Sequence, residues 1–143
     1  MTLNKKTTKI DMRVLLSTLW IVATLNYIYA DVMALMDAEI LGDLIKGTAG
    51  GGIQVTEGLL LGAAIFMEIP IVMVLLSLVL KYGANRWANI IVGTIKTVAI
   101  LSSMFFGPHP SLYYMFFGTI ETVCTSLIVW YAWKWSEQEG LSQ

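Results

Sequence analysis

Charge is scarce in this sequence. Of its 143 residues, 13% are Asp, Glu, Lys or Arg, 57% are hydrophobic, and the mean hydropathy is +0.71. A soluble domain ordinarily carries about 25% charged residues, so the shortage is about twofold and falls in long uncharged runs. The net charge of −1 leaves no basic stripe to neutralise phosphates, which excludes nucleic acid as a partner. Cys124 is the sole cysteine, so an intrachain disulfide and a CxxC redox pair are both excluded. His109 is the sole histidine, too few N and S ligands for a zinc site of the usual kind. No metal and no cofactor is expected. The glycine-rich run from Gly47 to Gly52 lacks the Gly-Lys-Ser/Thr ending of a phosphate loop, so nucleotide binding is not indicated. The first apolar run is too long, and too polar at its end, for a cleaved signal peptide.

What is present is four long apolar runs, about Arg13 to Met36, Glu57 to Lys81, Arg86 to Phe106 and Ser111 to Lys134. Crossing ~30 Å of hydrocarbon takes about 20 residues at 1.5 Å per residue. Only a helix satisfies its own backbone within one such run. The expected fold is a single all-α domain over residues 1–143, an antiparallel four-helix membrane bundle. Lys5, Lys6, Lys9, Arg13, Lys81, Arg86 and Lys134 fall at one side of it and Lys46 alone at the other. By the positive-inside rule both termini are cytoplasmic. Trp130, Tyr131, Trp133 and Trp135 fit an aromatic belt on that side, with Tyr113 and Tyr114 on the other.

The long connection from Asp37 to Thr56 places Ile40, Leu41, Leu44 and Ile45 at helical spacing opposite Glu39, Asp43 and Lys46. That pattern predicts a short amphipathic helix on the outer interface. The glycine run after it reads as a hinge.

The informative residues are the ionisable ones inside the runs, because a charge at the bilayer centre costs about 2.5–3.5 kcal/mol on insertion scales. Counting from the run ends puts Glu68, Lys96 and Glu121 ~15 Å deep, at one level. Asn26 is close to that level and Asp31 about a turn nearer the outer surface. The turn between the last two runs sets Lys96 opposite Glu121, and Glu68 is within reach of the same lysine. An intramembrane ion-pair network of Glu68, Lys96 and Glu121 is therefore expected, on a polar inward face with Tyr27, Asn89 and Tyr114. Pro70 lacks an amide hydrogen and predicts a kink beside Glu68, and Gly58-x-x-x-Gly62 predicts a close helix approach. Ser103 and Lys96, seven residues apart, share a face as a Ser–Lys pair would, with nothing else in support.

The stretches Asn26-Tyr27-Ile28-Tyr29-Ala30-Asp31, Met67-Glu68-Ile69-Pro70-Ile71-Val72-Met73, Asn85-Arg86-Trp87-Ala88-Asn89 and Trp130-Tyr131-Ala132-Trp133-Lys134-Trp135 resemble an uncharacterised family of small bacterial four-helix membrane proteins. The resemblance implies a bacterial inner-membrane location and brings no activity.

Two acids and one lysine leave a surplus negative charge that must hold a proton, bind a cation or admit water. The leading expectation is a transporter-like or channel-like protein binding a protonatable or cationic solute through Glu68, Lys96, Glu121, Asn26 and Asp31. Against it stands an accessory membrane subunit whose charges only lock the bundle. A lipid-modifying enzyme with Glu68 and Glu121 as acid and base comes third. Expected partners are the lipid bilayer, a small-molecule solute and further copies of the chain in a homo-oligomer. The topology is testable directly. In a Cys124→Ala background, cysteines at Thr7 and Gln138 should resist a membrane-impermeant thiol reagent in intact cells while one at Gly51 reacts. Labelling of the two termini from outside would reverse the assignment.

Overall fold

The computed structural model describes residues 10–49, 52–106 and 111–136; the two termini, residues 50–51 and residues 107–110, which include His109, lie outside them. Four long helices carry the chain: α1 (Met12–Ala34), α3 (Glu57–Val79), α4 (Tyr82–Phe106) and α5 (Leu112–Lys134). Each is long and apolar enough to cross a membrane, with span hydropathies from 1.3 to 2.5. Their outer faces are apolar and exposed, as hydrocarbon-facing helices require. This is an all-α membrane protein.

Between α1 and α3 lies α2 (Ala38–Ile45), the amphipathic helix read from the sequence. Asp37 caps it by accepting from the Glu39 amide at 3.0 Å. The segment after it is not a bare hinge. Thr48–Ala49 (β1) and Ile53–Gln54 (β2) pair antiparallel. Gly47 (φ 77°) takes the left-handed conformation just past the end of α2, and Gly52 (φ 95°) takes it just before β2.

Neighbours in space differ from neighbours in sequence. α1 packs against both α3 and α5, and α5 packs against α4, while the consecutive α3 and α4 touch only sparsely. The link between those two is tighter than expected. α4 begins at Tyr82 rather than at Arg86, because the Asn85 amide donates to the Lys81 carbonyl at 2.9 Å and the Tyr82 hydroxyl to the Trp135 carbonyl at 2.9 Å.

The core sits in the half of the bundle that holds the start of α1, the α3–α4 link and the end of α5, hereafter the basic end. Leu16, Trp20, Met73, Ile128, Ala132 and Trp135 form it. Trp135 is thus not a belt residue: it is 1% exposed and meets Tyr82 edge-on at 5.2 Å, whereas Trp130 and Trp133 do face outward. Pro70 is buried within a continuous α3. No other helix lies within 4 Å of where a Cβ would stand at Gly58, which meets only the local Thr56 Oγ1 at 4.0 Å, or at Gly62, so the anticipated close approach is not made there. It is made at Gly93 of α4, where a Cβ would lie 2.8 Å from Val129 Cγ2 and 3.5 Å from the Thr125 carbonyl.

A hydrogen-bonded knot crosses this core. Asn89 Oδ1 accepts from Trp20 Nε1 at 2.7 Å and from Ser77 Oγ at 3.2 Å. Its Nδ2 donates to Asn85 Oδ1 at 2.7 Å and to the Asn85 carbonyl at 2.9 Å. Asn85 Nδ2 donates in turn to the Ser77 carbonyl at 2.6 Å, and Ser17 Oγ to the Val74 carbonyl at 2.9 Å. One carboxamide thus ties α1, α3 and α4. Asn26, by contrast, makes a single cross-helix bond to the Phe117 carbonyl at 2.9 Å. Leaving several buried partners unsatisfied costs more than losing one bond. Asn89→Ala should therefore cost about 1–3 kcal/mol, and Asn26→Ala about 0.6 kcal/mol, in detergent unfolding titrations. Equal losses would mean that the knot is not cooperative.

Candidate functional site

Beyond the core, towards the end that carries α2, the packing loosens into a partly open cavity of about 220 Å³. All four spans line it. α1 contributes Tyr27 and Asp31, α3 contributes Phe66 and Met67, α4 contributes Lys96 and Ser103, and α5 contributes Tyr114 and Glu121. The helical repeat accounts for the choice. Tyr27 and Asp31 are one turn apart on α1, Lys96 and Ser103 two turns apart on α4, and Tyr114 and Glu121 two turns apart on α5, each pair on one face.

Lys96 is 1% exposed. Its ammonium lies over the Phe66 ring, 3.8 Å from the centroid, and over the Tyr27 ring at 4.6 Å. Cation–π attraction of this kind is worth about 2 kcal/mol or more when desolvated. It offsets part of the burial cost without using any of the ammonium's hydrogens. Nζ has no hydrogen-bond partner, and neither do Glu121 Oε1 and the Tyr27 hydroxyl, all three fully buried. Among the described residues four further buried polar atoms lack partners, on Arg13, Thr24, Tyr113 and Trp135, and none of those residues lines the cavity.

The expected ion-pair network is therefore corrected in two respects. Lys96 and Glu121 do share one site, but no direct salt bridge joins them: among the described residues the ion pair formed is Lys46–Asp43, exposed on α2. Glu68 does not join them at all. It is exposed, because α3 turns Pro70, Met73 and Ser77 inward and these stand two, five and nine residues on. At 3.6 residues per turn their directions are about 140–200° away from Glu68. With Glu68 and Glu121 on different surfaces, the acid–base pair invoked for a lipid-modifying enzyme is not assembled.

The remaining expected site residues divide. Tyr27, Asp31 and Tyr114 line the cavity, with Asp31 exposed at its mouth. Tyr114 therefore faces inward instead of joining an aromatic belt; its hydroxyl donates to Ser103 Oγ at 2.7 Å. Ser103 donates to the Ile100 carbonyl at 2.8 Å, so its proton is not offered to Lys96. Asn26 and Asn89 are spent on helix-to-helix bonds, and Pro70 is a packing residue. Phe66 and Met67 also line the cavity and are not among the expected site residues. Ser103, considered only as the partner of Lys96 in a Ser–Lys pair, lines it too, and small or apolar residues such as Ala99 and Gly118 fill out the wall. An aromatic residue at the depth of a buried lysine is the signal that could have marked Phe66.

The geometry defines a class, an all-α membrane protein whose four spans line a partly open, largely apolar cavity with a few ionisable side chains in one half of the bundle. The chain belongs to the family described as "Family of unknown function (DUF6326)", which matches residues 6–142. No curated protein and no solved structure matches it.

A buried ammonium and a buried carboxyl oxygen without partners both cost stability. Removing the two charges together, in Lys96→Met with Glu121→Gln, strands neither. Methionine also keeps favourable sulfur–aromatic contact with Phe66 and Tyr27. The double variant should be more stable than the wild type by about 1–3 kcal/mol in detergent unfolding. A loss of that size would assign both residues to holding the bundle together.

Proposed function

We propose that this protein is a small transporter-like membrane protein that takes a small protonatable or cationic solute into the cavity bounded by Tyr27, Lys96 and Glu121. The observation that carries the reading is the convergence of three buried, unpartnered polar atoms on one partly open space. Buried polar groups in folded proteins are nearly always satisfied, and the knot around Asn89 follows that rule. Intramembrane ionisable residues are functional sites by default. In the proposal Glu121 is the acceptor for the solute's proton or positive charge, and Asp31 at the mouth draws cations in. Tyr27 supplies a hydroxyl to the bound solute. Lys96, held by its two rings, is the fixed countercharge that limits how much positive charge the site keeps. The basic end is closed by the Leu16–Trp20–Trp135 core, so the cavity opens towards the α2 end. The placing of positive charges argues that this end faces out of the cytoplasm, in the plasma membrane, with both termini inside.

Water access tests the cavity and flux tests the function. Ala99 lines the cavity about one turn from Lys96. Ala99→Cys, in a Cys124→Ala background, should react with a small hydrophilic methanethiosulfonate in intact cells. In liposomes the protein should accelerate methylammonium-driven pH change reported by trapped pyranine. Glu121→Gln should lower that rate at least tenfold while folding is kept. An unreactive cysteine at position 99, together with flux unaffected by Glu121→Gln, would sink the reading.

A further inference from the structure

Glu68 is the central residue of the 23 in α3, ~16 Å from either end by helical rise. It is exposed, and among the described residues it is the one ionisable side chain exposed near the middle of a span. A carboxyl facing hydrocarbon has no water to satisfy it, and no hydrogen bond or salt bridge among the described residues engages it.

Its neighbours on that face form a pattern. Leu61, Ile65, Glu68, Val72, Leu75 and Val79 recur at spacings of four, three, four, three and four residues, and all six are exposed. This is a heptad seam. The β-branched Ile65, Val72 and Val79 occupy one core position, and Leu61 and Leu75 occupy the other, with Glu68 between the two leucines. β-Branched residues at the first core position and leucine at the second favour two parallel strands, and a lone polar residue in such a seam fixes register. Left-handed crossings of this kind are also the commoner geometry between membrane helices.

We propose that this face of α3 is the interface of a parallel homodimer, in which Glu68 hydrogen-bonds to the same residue of a second copy. Three observations select a second copy as the occupant. Two copies inserted with the same topology present α3 in parallel, the arrangement that the seam favours. A two-fold axis along the membrane normal brings each seam residue against itself, so Glu68 meets a group at its own depth without further design. A carboxylic acid, once protonated, both donates and accepts, so two of them satisfy each other. The seam lies on the side of α3 away from Pro70, Met73 and Ser77, so the dimer forms without disturbing the cavity.

The test uses full-length protein in liposomes, in a Cys124→Ala background. Single cysteines at Leu61, Ile65, Val72 and Leu75 should form intermolecular disulfides on mild copper–phenanthroline oxidation. Cysteines at Leu60 and Leu78, exposed on α3 but about 100° from the seam centre, should not. In dilution series read by energy transfer between labelled copies, Glu68→Leu should weaken dimerisation about three- to thirtyfold, the range for one polar contact between membrane helices. Glu68→Gln, which still donates and accepts, should stay within about threefold of wild type. Cross-linking at Leu60 and Leu78 as strong as at the seam, or none at any position, would overturn the dimer. A Glu68→Leu protein that associates as tightly as wild type would overturn the role of the carboxyl pair.

Discussion

Hydrocarbon offers no hydrogen bonds, so a polar atom carried into it must find its partner inside the protein. The carboxamide of Asn89 meets that demand for three other residues at once. It accepts from Trp20 on α1 and Ser77 on α3, and it donates to Asn85, which closes the circuit back to Ser77. α3 and α4 have little side-chain packing in common, so the knot and the Ser17–Val74 bond do much to fix where α3 stands. At the same end, Arg86 donates to the Ala132 and Trp133 carbonyls, occupying the acceptors that the last turn of α5 leaves without amides. The carboxamides of the knot and the Arg86 guanidinium at the basic end are thereby matched to partners.

The cavity follows from the same constraint. With the helices fixed at one end, nothing comparable draws them together at the other, where Asn26 to Phe117 and Tyr114 to Ser103 are single bonds. The space left between them is lined by groups that the chain does not satisfy. Lys96 shows how far the protein goes without a true partner: two aromatic faces stabilise its charge but leave its three hydrogens unused. A fold seeking only stability would do better with methionine there. The unused donors and acceptors give the cavity its mixed chemistry, and they are what supports the proposal of solute binding over structural locking.

Glu68 presents the opposite case, a polar group at the same level turned away from the interior. Intramembrane acids generally face the bundle, and that regularity misleads for this residue because α3 has only one inward face. Pro70, Met73 and Ser77 occupy it, and Ser77 is required there by the knot. Once they face in, Glu68 must face out. The heptad of apolar residues around it supplies a surface on which the exception is consistent with the rule: in the proposed dimer the carboxyl is buried against a second chain.

The sequence by itself determined the class and much of the layout. Four apolar runs of the right length, the amphipathic α2 and the common depth of Lys96 and Glu121 are all local counting, and local counting is reliable where a bilayer fixes the length of each element. Tyr27, Asp31 and Tyr114 were also legible, as polar residues one or two turns from the central level. Which helices would be neighbours was not legible, because chain order sets the direction of each span but not its rotation or its partner. The tertiary structure alone decided that α1 sits between α3 and α5, that Phe66 and Tyr27 close over Lys96, and that Asn89 faces Trp20. It also decided that Glu68 points away. Depth is a property of position along the chain, whereas facing is settled only when side chains on several helices compete for one interior.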